Sequence, residues 1–280
     1  MIKKAYKFLE NFIALFNKNR LAVSSAGLSY YMTMTFFPLI MCLYSMLGYN
    51  QEQALRIIRF LDDFLDRDTI KLLEDFLRYI GENNSEAMLI AGIVVLFTSA
   101  SAAVRSLNST IGELQGGRRF MGLKHYLFSL VFSFILLASA YFGMIVMLTG
   151  RAFIKKVNEF LPFIDISGTW NWMRFLVLAG LDFVLVWAVY EMPKRSVDKY
   201  RTFPGAILTT VALVVVSLVF SSFISHSAKY PLVYGSLASL VLLMLWIYSC
   251  GIVIYGGAAF NIVLYRFKQE NGSLKEGNKE

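Results

Sequence analysis

Residues 205–224 read GAILTTVALVVVSLVFSSFI, a stretch without one charged side chain. At 1.5 Å per residue, roughly 20 apolar residues cover the ~30 Å hydrocarbon core of a bilayer. Four comparable runs occupy residues 88–107, 127–149, 173–190 and 237–264, and a more polar one precedes them at 21–47. Soluble domains do not carry five or six such segments. A mean hydropathy of +0.56 and 57% hydrophobic residues agree. The expected fold is all-α: a polytopic transmembrane bundle of six spans, with short amphipathic helices at the N-terminus and in the first outer loop.

The longest gap between runs, residues 48–86, is below the length at which a lone core is stable. The membrane bundle, residues 21–266, is therefore expected to be the only large unit. Residues 1–20 read as a cytoplasmic interfacial segment and 267–280 as a polar, disordered cytoplasmic tail. Lys3, Lys4 and Lys7 precede only a short apolar segment without a small-residue cleavage site, so the first span reads as a retained anchor.

The net charge of +8 follows topology. Of the 27 Lys and Arg, 17 fall in residues 1–20, 105–124, 191–201 and the stretch after 264, all on one side of the expected membrane. The other side holds 10, and its 48–86 loop carries nine of the 19 acidic residues. Positive charge in short loops stays cytoplasmic, which puts both termini inside the cell. A nucleic-acid partner would need basic clustering on one soluble face, so none is expected. Cys42 and Cys250 lie within spans one and six; two such thiols make neither a disulfide framework nor a metal set.

Ile2, Leu9, Phe12, Ile13 and Phe16 fall near one helical face, with Lys3, Lys4, Lys7 and Asn11 elsewhere. That pattern fits an interfacial helix on anionic headgroups, or else a solvated lead-in to the first span. In that span Ser24, Ser25, Gly27, Ser29, Tyr30, Thr33 and Thr35 are polar or small, and Pro38 interrupts the second half. A proline frees a carbonyl that needs a partner in protein or water, which places the helix inside the bundle or beside a cavity. Close helix packing through small residues explains the same composition. In the outer loop Leu55, Ile58, Leu61, Leu65, Ile70, Leu73, Phe76, Leu77 and Ile80 recur at helical spacing, with a break at Asp66-Arg-Asp-Thr69. Two amphipathic helices capping the outer mouth are expected there.

Several local patterns together resemble the YihY/BrkB family, whose early members were once labelled ribonuclease BN. They are Ala26-Gly-Leu-Ser-Tyr-Tyr31 with Phe37-Pro38, Leu107-Asn108, Arg118-Arg-Phe120, Tyr190-Glu-Met-Pro193 and Pro204-Gly-Ala206. To these are added Tyr234-Gly-Ser-Leu237, Leu245-Trp-Ile-Tyr248 and Gly257-Ala-Ala-Phe-Asn261. The resemblance runs from about residue 21 to 266 and implies a six-span protein of the inner or plasma membrane. Family members usually read G-A-E-x-N in the last motif, and here Ala259 stands where the glutamate is expected.

The nuclease label finds no chemistry in the chain. A metal-dependent nuclease needs clustered His, Asp or Glu ligands. The two histidines, His125 and His226, are expected on opposite sides of the membrane. No H-E-x-x-H run and no GxxxxGK[ST] loop occurs. No catalytic residue, cofactor or metal is expected, and the chain does not read as an enzyme.

Ionisable groups inside spans are costly and mark functional sites by default. Asp182, ten residues into span four, reads as a coupling carboxylate or as a structural acid bonded to a neighbouring helix. Arg105 reads as an anion contact or as a side chain snorkelling to the cytoplasmic interface. Tyr30, Tyr31, Pro38, Asn108, Tyr234, Ser236 and Asn261 would line a polar pathway or hold the helices together by hydrogen bonds. The expectation from these features is a transporter or lipid-handling permease, with a first span packed against the sixth along the pathway. The alternative is a membrane scaffold for an envelope assembly; a lipid-acting membrane enzyme comes last. Expected partners are membrane lipids, a small-molecule or lipid substrate, and a second copy of the chain or an envelope protein.

Overall fold

The computed structural model describes residues 2–46, 71, 74–75, 86–115, 126–139, 141–143, 170–193, 200–226 and 237–276. Among them the regular structure is helical throughout. We number the helices α1 (Ile2–Lys18), α2 (Leu21–Met46), α3 (Glu86–Leu114), α4 (Tyr126–Gly143, apart from residue 140), α5 (Trp170–Glu191), α6 (Phe203–His226) and α7 (Leu237–Glu276). Helices are the expected outcome for such runs, because in lipid every backbone N–H and C=O must be satisfied within its own segment.

Four stretches among the described residues are long and apolar enough to cross a bilayer: Ile90–Leu114, Tyr126–Gly143, Phe203–Phe223 and Leu240–Gln269. They coincide with expected spans two, three, five and six. α2 and α5 coincide with spans one and four. The hydropathy of α2 is diluted by its serines, threonines and tyrosines. The expected outer helices at 48–86 lie outside the described residues, apart from 71, 74 and 75, which are helical. α7 continues to Glu276, so helix extends through most of the segment expected to be a disordered tail.

α7 is the element around which the others arrange, touching α1, α2, α3 and α6. α2 lies between α3 and α7, and α5 packs on α6 and more lightly on α3. α4 joins α3 through the stacked rings of Phe97 and Phe134, 6.2 Å apart and 10° from parallel. Its Gly143 lies against Leu178 of α5. Small residues set the closest approach of α2 and α7, where Gly251 faces Ser25 and Leu28. Between helices in lipid the attraction is dispersion and hydrogen bonding, so backbones that come close gain most.

The main buried cluster lies at one end of the bundle. It takes Leu21 and Leu28 from early α2, Leu107 and Ile111 from late α3, Val186 and Tyr190 from late α5, Ala206 from early α6, and Tyr255 and Ala259 from late α7. Because successive helices alternate in direction, all these positions belong to the end that carries both chain termini. There α1 joins the bundle: Phe8 meets Phe260 and Phe267 edge-on at 5.6 and 5.9 Å, and Phe12, Leu15 and Phe16 pack on the cluster.

Candidate functional site

The same end holds a buried polar node joining α5, α6 and α7. Thr202 occupies the N-cap position of α6, its carbonyl accepting the Ala206 N–H at 3.1 Å. Pro204 follows in the first turn, where a missing N–H costs nothing. An N-cap side chain usually turns inward to take an N–H of that turn. Here the Thr202 hydroxyl points away and donates to the Glu191 carboxylate. The vacant role passes to Asn261 of α7, whose Oδ1 accepts the Gly205 N–H at 2.7 Å. Its Nδ2 donates to the Thr202 carbonyl at 2.9 Å. Asn261 is buried, so both bonds form away from lipid and water.

About two turns earlier along α7, the Tyr190 hydroxyl donates to the Ile254 carbonyl at 2.6 Å and stands 2.7 Å from the Thr209 hydroxyl. With the tyrosine proton committed to the carbonyl, Thr209 is the donor in that second bond. Gly205 and Gly257 permit the approach. A side chain at Gly257 would run into the hydroxyls of Thr209 and Tyr190, and one at Gly205 into Asn261 and the Gly257 carbonyl. Tyr190, Thr202, Gly205, Thr209 and Gly257 were not among the site residues expected from sequence. The signal was present in part, since Tyr190-Glu-Met-Pro193, Pro204-Gly-Ala206 and Gly257-Ala-Ala-Phe-Asn261 are three of the recognised motifs and meet at this node.

Asp182 sits mid-α5, partly buried, toward α6 and α7. Thr210 is its neighbour on α6, although the Thr210 hydroxyl has no hydrogen bond of ordinary geometry among the described residues. Asp182 also comes within electrostatic reach of Tyr190 and Cys250. Arg105 lies elsewhere. Its Nη1 donates to the Ser101 hydroxyl at 2.7 Å within α3, and its guanidinium lies 4.8 Å from the Tyr126 ring centroid at the start of α4. The contacts of Asp182 are on α6 and α7 and those of Arg105 on α3 and α4, so the structure does not bring the two together.

The remaining expected residues divide. Tyr30 and Tyr31 are 51% and 36% exposed and pack edge-on against each other on the outer side of α2, away from the interior expected for pathway residues. The inward face of α2 carries Ser25, Ser29, Thr33 and Thr35 instead. These hydroxyls bond carbonyls of their own helix at 2.7–2.8 Å, and Thr35 also reaches Ser99 of α3 at 3.0 Å. Pro38 lies inside α2, which runs on past it to Met46. Asn108 is buried on α3, and its Oδ1 has no hydrogen-bond partner among the described residues. The Tyr255 hydroxyl, near Ser106 and Thr110, likewise makes no bond of ordinary geometry there. Ala259 is fully buried in the apolar cluster. Tyr234 and Ser236 lie outside the described residues. Among the described residues no three His, Cys, Asp or Glu side chains converge.

Comparison with known proteins agrees with this architecture. The profile of the family described as virulence factor BrkB matches residues 12–280. A ribonuclease-like protein of Bacillus subtilis, YfkH, is 24% identical over 268 residues, covering 94% of this chain and 96% of that protein. A UPF0761 membrane protein of Alteromonas mediterranea is 25% identical, covering 90% of this chain and 86% of its own length. One from Histophilus somni is 23% identical, covering 92% and 90%. No solved structure matches.

Proposed function

We propose that this chain, which belongs to the virulence factor BrkB family of membrane proteins, is a transporter or lipid-handling permease rather than an enzyme. The observation that carries the reading is Asp182. A carboxyl group within a span, turned toward two neighbouring helices, with no lysine or arginine in ion-pair contact among the described residues, is costly to keep unless it binds something. In this reading Asp182 is the coupling group and exchanges a proton or a substrate cation between states. Arg105, whose contacts lie on α3 and α4, meets anions at the cytoplasmic mouth. The protein sits in the cell membrane with both termini cytoplasmic, as the basic excess on that side supports. The ribonuclease-like name of YfkH belongs to that relative; the lack of nuclease motifs in this sequence speaks against carrying it over.

The first test is native mass spectrometry of protein released from mild detergent, comparing wild type with Asp182→Asn and Arg105→Ala. A defined lipid or anion kept by wild type and lost in a variant names the substrate class for flux assays in proteoliposomes. Flux and pH dependence unchanged in Asp182→Asn would end the coupling role. A second reading, a scaffold for an envelope assembly, draws on α2. Its inward hydroxyls are spent on their own helix carbonyls, which suits packing better than a polar pathway. That reading expects a bound protein subunit in the same spectra and tolerance of Asp182→Asn.

A further inference from the structure

α1 is an amphipathic helix of which the bundle covers only part of the apolar arc. One half, Phe8, Phe12, Leu15 and Phe16, docks on α7 and the buried cluster. The other half, Tyr6, Leu9 and Ile13, is 70%, 55% and 49% exposed. The helix cannot swing away to hide it. Only Asn19 and Arg20 separate α1 from α2, and two residues span at most about 7 Å. Near the middle of α1, Phe8 is held between Phe260 and Phe267. α1 is thus pinned lengthwise at the level where α7 leaves the apolar stretch that ends at Gln269.

The charges around this half-covered helix come from three distant parts of the chain. Lys4, Lys7, Lys18 and Arg20 belong to α1 and its turn, and all are exposed. Arg266 adjoins Phe267, which touches Phe8, and Arg201 adjoins Tyr200, whose ring lies 6.3 Å from that of Tyr265. The fold gathers them into one basic collar at the end of the bundle, in which Glu10 is the acidic residue of α1. Exposed apolar side chains beneath a basic rim complement one environment, the boundary between acyl chains and anionic headgroups.

We propose that α1 and this collar form a binding surface for anionic phospholipid in the leaflet on the side of the termini. Leu9, Ile13 and Tyr6 sink into the acyl boundary, and the lysines and arginines contact headgroup phosphates. The proposal is independent of transport, since it holds equally for a scaffold.

Two measurements on the full chain test it. In Cys42→Ser, Cys250→Ser protein, spin labels at Leu9→Cys and Ile13→Cys are compared with labels at Lys7→Cys and Asn11→Cys in nanodiscs. Oxygen access should exceed nickel-complex access at positions 9 and 13, and the order should reverse at 7 and 11. Equal nickel access at all four would overturn the docking geometry. In native mass spectrometry from mixed micelles, phosphatidylglycerol should be retained over phosphatidylcholine. Lys4→Gln and Lys7→Gln should each weaken retention roughly fivefold, the factor given by about 1 kcal/mol per basic residue at an anionic surface. Both variants change exposed side chains and should melt like wild type. Equal retention of the two lipids, or retention unaffected by both variants, would overturn the headgroup assignment.

Discussion

Asn261 caps helix α6 from 56 residues further along the chain, its Oδ1 accepting the Gly205 N–H at 2.7 Å. The bond replaces what an N-cap side chain normally does for its own helix, and it ties the start of α6 to the middle of α7. Asn261→Ala leaves the Gly205 N–H buried without a partner. The expected loss is about 2 kcal/mol, read as a lower midpoint of thermal melting in detergent. Asn261→Asp keeps the acceptor, loses the donor to Thr202, and should fall between the two.

Tyr190→Phe removes a hydroxyl that serves both the Ile254 carbonyl and Thr209. Because Thr209 remains buried and Ile254 half-buried, the cost should be about 1–3 kcal/mol. Thr209→Val should cost about the same, and the double variant less than the sum. An additive double variant, measured by the same melting assay, would show that the two hydroxyls do not act as a unit.

The glycines give a rank order. Gly257→Ala drives a methyl group into the Thr209 and Tyr190 hydroxyls, an overpacking expected to cost about 3 kcal/mol. Gly251→Ala meets Ser25 and Leu28 at 3.2–3.4 Å and should cost less. Gly27 and Gly180 lie inside helices and face open space, so alanine there should hold the melting midpoint or raise it, through up to about 1 kcal/mol of helix propensity. Equal tolerance at all four would contradict the packing of α7.

Arg105→Gln removes a cation from beside Tyr126, and Tyr126→Leu removes the ring. Each should destabilise, and a double-mutant cycle should return a coupling of about 1 kcal/mol. A cycle near zero would leave Arg105 held by Ser101 alone.

Arg20 occupies the left-handed region, with φ of 50°, in the turn between α1 and α2. Non-glycine residues there carry roughly 1–2 kcal/mol of strain. Arg20→Gly relieves that strain while adding freedom to the unfolded chain, so a net gain of a few tenths to about 1 kcal/mol is expected. A drop in melting midpoint would indicate that the Arg20 side chain supports the turn.

Residues 205–224 were legible as a membrane helix because nothing in them competes with lipid, and the helical content followed from the same reasoning. Which face of a helix meets which neighbour was not legible. The first half of α2 mixes small, polar and apolar residues around its circumference, so its sequence does not separate Ser25, Ser29 and Thr33, which turn inward, from Tyr30 and Tyr31, which turn outward. Across the interface Gly251 of α7 faces Ser25 and Leu28. For α1 the face of Leu9, Phe12, Ile13 and Phe16 was expected at the headgroup boundary, and Phe12 and Phe16 pack on the buried cluster instead. The sequence pattern did not include Phe8, which docks on Phe260 and Phe267 of α7, and within the expected lipid-facing set the bundle leaves Leu9 and Ile13 exposed. Asn261 carried a motif signal, but its two partners lie 56 and 59 residues away, beyond any periodicity.

The same separation has a consequence for how the protein is made. A ribosome adding roughly 5–20 residues per second needs about 3–11 seconds to travel from Gly205 to Asn261. Through that interval α6 waits in the insertion machinery or the bilayer with its first turn uncapped, and α5 and α6 cannot take their final places. α7, which emerges after both, is therefore the helix that locks α5 and α6, and a ribosome stalled before it would leave a hairpin suited to quality-control proteases.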